Sequence, residues 1–152
     1  MSLLKKGFYL FLPIVLGSIV GFIISGSIDY ADLIKPPLAP PSWLFPVAWT
    51  IIYLLMGISY YLLKKNDKEK ELGIESIVYY IQLGVNLLWS ILFFSLKLRF
   101  FSIIWIIFLD ILVIMMIYWF FNKNKYSAYL NILYLVWILF ATYLTIGIYV
   151  LN

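Results

Sequence analysis

The chain has 152 residues, of which 65% are apolar and 12% are charged, with a formal net charge of +4. Soluble domains are about half apolar and about a quarter charged, and small ones leave much surface exposed, so this composition excludes a water-soluble fold. The absence of cysteine and histidine excludes disulfides, thiol catalysis, histidine general bases and the usual zinc, iron–sulfur and His-ligated haem sites.

Five nearly uncharged runs are long enough to cross a membrane as helices, since a hydrocarbon core of about 30 Å takes about 20 helical residues. They are residues 7–28, 44–63, 76–96, 100–121 and 126–151. We therefore predict an all-α membrane protein in which residues 1–152 form a single domain, a five-transmembrane-helix bundle in a lipid bilayer.

The first run has small residues at four-residue spacing, namely Gly17, Gly21 and Ser25. This pattern allows close helix approach, and we interpret it as packing within one bundle rather than as a dimer seam. The run is long and lacks a convincing small-residue cleavage site, which indicates a retained helix rather than a signal peptide.

A proline-rich segment, residues 29–43, follows; we call it the lid. Proline fixes φ and removes a backbone donor, so the stretch 35–41, which holds four of the six prolines, cannot be helical. Because a proline in the first turn of a helix costs little, the second helix can include Pro46 and carry Trp49 and Tyr53 inward on one face. A stiff cover leading into an aromatic helix face is suited to closing a pocket.

Three predicted helices carry aromatic and polar residues on one face at helical spacing. They are Trp49, Tyr53, Met56 and Tyr60 in the second helix, Gln82, Asn86, Trp89 and Phe93 in the third, and Tyr134, Trp137, Ala141 and Thr145 in the fifth. Gln82, Asn86 and Ser90 need hydrogen-bond partners in hydrocarbon. They either join helices or line a ligand cavity, and the coincidence of the three stripes favours the cavity.

Asp110 is the one formal charge within the five runs. A charged aspartate at the centre of a membrane helix costs about 2.5 to 3.5 kcal/mol on insertion scales, so we expect Asp110 to face the bundle and to be neutral or hydrogen-bonded. A proton or ion pathway requires a chain of such groups, and Asp110 by itself does not predict one.

The basic residues divide unevenly between the two ends of the predicted bundle. One end would hold only Lys35, Lys97 and Arg99, and the other would hold Lys5, Lys6, Lys64, Lys65, Lys68, Lys70, Lys123 and Lys125. The positive-inside rule then predicts a multi-pass protein of the cell membrane with a cytoplasmic amino terminus and with the lid and carboxyl terminus outside.

Three segments together resemble the TspO/translocator protein family, also called tryptophan-rich sensory proteins. They are KPPLAPPSWLFPVAWTIIY at 35–53, QLGVNLLWSILFF at 82–94 and YLVWILFATYLT at 134–145. The resemblance covers nearly the whole chain and implies a homodimer of five-helix bundles, each with a ligand pocket under the lid. The family binds tetrapyrroles such as protoporphyrin IX and haem, and benzodiazepine-type ligands; some bacterial members degrade porphyrin in light.

Carried over position by position, the resemblance implies a ligand site of twelve residues. They are Tyr30, Pro40, Trp43, Trp49, Tyr53, Asn86, Trp89, Ser90, Asp110, Trp137, Phe140 and Ala141. Trp49 and Trp137 are the candidate photochemical residues. No cofactor is required beyond porphyrin as ligand or substrate, and neither a metal site nor a nucleic-acid partner is expected. The fifth helix has no Lys or Arg after Lys125, so the motif proposed for sterol contact is missing and sterol binding is not predicted.

Several functional classes stay open. No nucleophile–base pair is visible, whereas light-driven oxidation by a bound sensitiser needs none. No inverted repeat or broken central helix indicates a transporter. We therefore expect a tetrapyrrole-binding sensor or regulator, with light-dependent degradation as an added activity. The alternatives are a transporter of porphyrins or other small apolar ligands, or a structural membrane protein.

Overall fold

The computed structural model describes residues 1–67 and 72–152, and no strand occurs in that part of the chain. Five helices are long and apolar enough to cross a membrane, which confirms the predicted all-α, five-helix fold. They are α1 (Leu3–Ile24), α2 (Leu44–Lys64), α3 (Ile74–Ser90), α4 (Arg99–Lys123) and α5 (Lys125–Leu151). Lys68 and Lys70 lie outside the described residues.

Helix α1 is shifted from the predicted span of 7–28 by four residues towards the amino terminus. The reason is local capping: the Ser2 hydroxyl accepts a hydrogen bond from the Lys5 backbone N–H at 3.3 Å, so the helix begins ahead of its two lysines. At the other end the Ser25 hydroxyl donates to the Phe22 carbonyl, 2.7 Å away. Side-chain caps of this kind satisfy backbone groups that a helix end leaves unpaired.

Helix α3 continues into a wider π-helical turn over Ile91–Ser95. The chain then reverses at Lys97, whose φ of 53° is left-handed. The Arg99 side chain donates from Nε to the Phe93 carbonyl at 3.1 Å and so pairs a carbonyl that the turn leaves free. π-Helical turns are frequent at functional sites, and this one ends the third membrane span.

The helices form a ring in the order α1, α2, α5, α4, α3, with α3 returning to contact α1. The best-packed part of the interior lies in the half of the bundle away from the lid. There the rings of Tyr60 and Tyr79 stack with centroids 4.1 Å apart, and Met56, Met116 and Phe120 are fully buried.

The lid shares its end of the bundle with the α3–α4 turn and the carboxyl terminus. Asp29 accepts two hydrogen bonds from the Arg99 guanidinium at 2.8 and 2.9 Å and lies 3.7 Å from the Lys97 ammonium. The side chain of Asn152 bonds to both backbone groups of Ile34. These contacts tie the lid to the α3–α4 turn and to the end of the chain.

The opposite end carries an ion-pair cluster. Glu75, at the start of α3, lies 3.0 Å from the Lys123 ammonium and 3.5 Å from that of Lys64. Lys64 also pairs with Asp67 at 2.8 Å. The lysine-rich loops therefore meet at one end, as alternating spans require; the cytoplasmic position of that end stays a prediction.

Candidate ligand-binding site

A cavity of about 590 Å³ opens at the lid end of the bundle, between α1, α2, α5 and the end of α3. This volume lies within the range of about 300 to 1,000 Å³ that is typical of small-molecule sites. No charged side chain is among the described residues that line it. The cavity is therefore suited to a largely apolar ligand.

Four of the six tryptophans line this cavity: Trp43, Trp49, Trp89 and Trp137. Trp49 is central among them. Its ring stacks on Tyr53 at 5.5 Å, lies edge-on to Trp137 at 6.1 Å and is 6.5 Å from Trp89. Offset and edge-to-face contacts of this kind favour a fixed ring geometry, so the aromatic wall is preformed.

A chain of hydrogen bonds forms the floor of the cavity. The Tyr53 hydroxyl donates to the Asn86 side-chain oxygen at 2.6 Å, and the Asn86 amide donates to the Tyr134 hydroxyl at 2.8 Å. Tyr134 in turn donates to the Gln82 oxygen at 2.8 Å. The first member, Tyr53, lines the cavity, whereas the next three are almost fully buried below it.

Eight of the twelve predicted site residues lie together in the cavity wall. They are Tyr30, Trp43, Trp49, Tyr53, Trp89, Ser90, Trp137 and Ala141. The two candidate photochemical residues are thus neighbours in one wall.

The other four do not line the cavity. Asn86 supports Tyr53 from below, and Pro40 accepts a hydrogen bond from the Tyr30 hydroxyl at 2.7 Å through its carbonyl. Phe140 lies behind Trp137, with ring centroids 6.0 Å apart. These three act on the wall through the residues that they contact.

Asp110 is the fourth. It is buried between α4 and α5, where its Oδ2 lies 2.8 Å from the Thr142 hydroxyl. As expected, Asp110 faces the bundle and is hydrogen-bonded, but its position between two helices keeps it out of the cavity wall. Its contact joins helices and does not reach the ligand space.

The wall contributed by α1 is the main feature that sequence reasoning missed. Gly17, Ser18, Gly21 and Ser25 all line the cavity, together with larger apolar residues of the same helix. Gly17 packs against the Tyr53 ring, whereas a Cβ added at Gly21 would meet no atom within 4 Å. The four-residue spacing is therefore helix packing at Gly17, as interpreted, but it opens space at Gly21 and Ser25. The spacing was the available signal, since small residues make room for a ligand as readily as for a helix.

Phe45, Phe94 and Thr50 also line the cavity and were not predicted. The ring of Phe45 lies 4.9 Å from that of Tyr30 and 5.9 Å from that of Trp137. Phe45 faces inward from the first turn of α2, where the sequence pattern could not separate it from interface anchors.

Two indole N–H groups border the cavity without a hydrogen-bond partner among the described residues. They belong to Trp89 and Trp137, and both nitrogens are buried. A buried donor without a partner is unfavourable by about 1 to 3 kcal/mol. Small movements of either ring would let a ligand that carries acceptor atoms satisfy them.

The lid closes one side of the cavity and is attached to α5. Tyr30, Ser42 and Trp43 contribute to the wall, and burial raises the pKa of Tyr30, so its hydroxyl remains a neutral donor. The Tyr143 hydroxyl on α5 donates to the Pro37 carbonyl at 2.6 Å. The predicted extended cover is thus held at several points.

The chain matches a known family along most of its length. The sequence profile of the TspO/MBR family matches residues 9–151. Tryptophan-rich protein TspO of Archaeoglobus fulgidus is 38% identical over 100% of this chain and 99% of that protein. Tryptophan-rich protein TspO of Chlorobaculum tepidum is 35% identical over 81% and 78%, and translocator protein of Ovis aries is 38% identical over 43% and 40%. The chain therefore belongs to the TspO/MBR family of multi-pass membrane proteins.

Proposed function

We propose that this protein is an integral membrane tetrapyrrole-binding protein that senses or regulates porphyrin, with protoporphyrin IX as the ligand to test first. The observation that carries the proposal is the convergence of four tryptophans on one cavity of about 590 Å³. A tetrapyrrole is flat and apolar over its faces, and indole and phenol rings bind such faces well. Relatives named tryptophan-rich sensory protein and translocator protein support sensing or translocation in general terms.

The polar groups support a particular orientation of the ligand. The cavity lining has no charged side chain among the described residues, so the carboxylates of a porphyrin would project from the cavity. Lys35 lies on the lid, with its ammonium 4.9 Å from the Tyr30 ring centroid, and it donates hydrogen bonds to the backbone carbonyls of Ala31 and Leu33. We infer that Lys35 attracts a ligand carboxylate at the mouth of the cavity.

The contact between Trp49 and Trp137 favours light-dependent porphyrin degradation as an additional activity. Both rings are in the cavity wall, 6.1 Å apart. Light absorbed by a bound tetrapyrrole excites dissolved O₂, which is the oxidant and adds both of its atoms across a carbon–carbon double bond of the macrocycle. The two indole rings hold the macrocycle where this addition occurs. The proposed reaction needs light, oxygen and proximity, and it needs no acid–base pair.

The experiment titrates the purified protein with protoporphyrin IX in the dark, and the quenching of tryptophan fluorescence measures binding. The complex is then illuminated in air while its absorbance spectrum is recorded. We expect saturable quenching and then a defined product spectrum. The variants Trp49→Phe and Trp137→Phe should slow the light-dependent loss at least tenfold, whereas Trp119→Phe, whose residue does not line the cavity, should match wild type.

Each other outcome selects a different function. Saturable quenching with only the bleaching rate of free porphyrin leaves a sensor without degradation. Saturable binding with net protoporphyrin IX flux across a vesicle bilayer identifies a transporter. Quenching that never saturates overturns tetrapyrrole binding and supports the structural interpretation.

We also propose that the protein is a homodimer in the cell membrane, with the lysine-rich end in the cytoplasm. The family resemblance supports the dimer, and the division of basic residues supports the orientation. Since the chain has no cysteine, a single cysteine introduced at Lys65 or at Leu38 can be labelled selectively. Its reaction with a membrane-impermeant reagent shows which side of the membrane that position faces. Labelling of Lys65→Cys by an impermeant reagent in intact cells would contradict the orientation, and a monomeric mass in lipid nanodiscs would contradict the dimer.

A further inference from the structure

Side-chain contacts from α5 and from Asn152, the residue that follows it, hold the lid in place. Asn152 makes two hydrogen bonds to the Ile34 backbone, at 2.8 and 3.0 Å. Tyr143 donates to the Pro37 carbonyl, and a Cβ added at Gly147 would overlap the Pro36 ring. The lid is therefore packed and hydrogen-bonded along α5, and opening it would break several contacts together.

Helix α1, on the other side of the cavity, is held by packing and not by side-chain hydrogen bonds to other elements among the described residues. Only Pro13 and Ile24 are buried among its 22 residues. Its side-chain hydrogen bonds stay within the helix or its cap, and no ion pair joins it to another element in the part of the chain that the structure describes. It is held to its neighbours by van der Waals packing, without the hydrophobic driving force that water would add.

The packing of α1 against α2 is also uneven along its length. In the half away from the lid, Leu10 contacts Gly57 backbone to backbone and Tyr9 lies edge-on to Tyr60 at 5.1 Å. Gly17, nearer the lid, meets the Tyr53 ring. Beyond Gly17 the helix presents Ser18, Gly21 and Ser25 to the cavity, and Gly21 has open space around it.

The two ends of this loose part are fixed points. Gly17 is packed on α2, and Asp29 is paired with Arg99. Between them the chain can bow outward without breaking a side-chain hydrogen bond to another element, since residues 18–28 form none with the part of the chain that the structure describes. The wall that can move is therefore a membrane-spanning one, next to lipid.

We propose that ligands enter and leave the cavity sideways from the bilayer, between α2 and the lid-end half of α1, while the lid stays attached to α5. The proposal rests on the proposed function and deepens it: the tetrapyrrole reaches the cavity as a largely apolar molecule dissolved in the membrane, with its carboxylates near the bilayer surface. Gly21 and Ser25 on α1 and Thr50 on α2 border this gap. Small side chains there keep the gap passable.

The first test restrains each wall in turn and uses the absence of native cysteine. One cysteine pair joins α1 to α2, at Phe22→Cys and Val47→Cys. The other pair joins the lid to α5, at Leu38→Cys and Val150→Cys. All four positions are exposed, and none lines the cavity. Each pair is joined by the same reducible bis-maleimide linker. Protoporphyrin IX association and dissociation are then followed by tryptophan quenching in vesicles.

We expect the α1–α2 link to slow both rates at least tenfold and reduction of the linker to restore them. The lid–α5 link should change either rate by less than about twofold. Slowing by the lid–α5 link alone would overturn the proposal and make the lid the gate.

A second test needs no ligand, so it distinguishes failure of the access route from failure of tetrapyrrole binding. Nitroxide labels on the same two cysteine pairs report distance distributions in lipid bilayers. We expect the α1–α2 distribution to be clearly broader than the lid–α5 one. Equal widths, or a broader lid–α5 distribution, would overturn the proposal even if protoporphyrin IX binds well.

A matched pair of glycine variants gives an independent check. Gly21→Leu narrows the gap, whereas Gly84→Leu adds the same side chain at an exposed position of α3 where a Cβ also meets nothing within 4 Å. Gly21→Leu should slow association at least fivefold and Gly84→Leu should not. Equal association rates in the two variants would contradict lateral access.

Discussion

At Gly57 the backbone of α1 lies directly against α2, and replacement of Gly57 by alanine tests whether this contact positions α1. A Cβ at Gly57 would overlap the backbone carbonyl of Leu10, and backbone cannot turn aside as a flexible side chain can. The same change at Gly84 meets nothing within 4 Å. Both changes remove a helical glycine, a gain of roughly 0.5 to 1 kcal/mol each. Because this gain is the same in both variants, their difference in stability is the cost of the overlap at Gly57. Overpacking of this kind typically costs about 1 to 3 kcal/mol.

We therefore expect Gly57→Ala to be less stable than Gly84→Ala by about 1 to 3 kcal/mol, with Gly84→Ala slightly more stable than wild type. Reversible unfolding in mixed micelles, followed by tryptophan fluorescence, measures both. Because α1 forms one wall of the cavity, displacing it should also weaken protoporphyrin IX binding in Gly57→Ala. Equal stability of the two alanine variants would refute the close approach of Leu10 to Gly57.

Three further predictions concern polar contacts. A double-mutant cycle of Tyr53→Phe and Asn86→Leu should give a coupling energy of about 0.6 to 1.7 kcal/mol, the range of interhelical hydrogen bonds in membranes; zero coupling in micellar unfolding would contradict the bond. Arg99→Gln should lower stability by about 1 kcal/mol, since it removes the two-pronged, partly exposed pair with Asp29, and added salt should narrow the difference from wild type; a salt-independent difference would argue against an ionic origin. Glu75→Gln should cost about 1.5 to 3 kcal/mol, because it removes the buried charge that faces Lys64 and Lys123 and leaves Asp67 as the carboxylate paired with both, and a change below 0.5 kcal/mol would show that the cluster is solvated.

The local features of the chain were predictable because each depends on chemistry that acts over a few residues. Uncharged runs of membrane length marked all five helices, and every boundary except those of α1 agreed within two residues, counting the π-helical turn with α3. The prolines excluded helix from the lid, and α2 starts at Leu44. The basic residues fell at the predicted ends of the bundle because consecutive membrane spans must run in opposite directions.

The composition of the cavity was predictable only in part. Trp49, Tyr53 and Trp137 share inward faces with polar residues, and lipid does not favour such faces, so periodicity identified them. Asn86 belongs to the same pattern yet lies beneath the cavity, bonded to Tyr53, and Phe140 packs behind Trp137 without reaching the cavity. Helical spacing states which residues share a face, but it does not state how deep in the bundle each side chain ends.

By itself the sequence determined the class of protein, the five spans, the stiff lid and the aromatic character of the site, since these follow from composition and from local backbone chemistry. Only the tertiary structure decided that α1 forms a wall, that Gly57 receives the backbone of Leu10, and that the lid is attached to α5. The physical reason is that lipid is as apolar as a protein core. The lipid-facing and inward-facing sides of α1 therefore look alike in sequence, and which side meets the cavity depends on how the neighbouring helices pack.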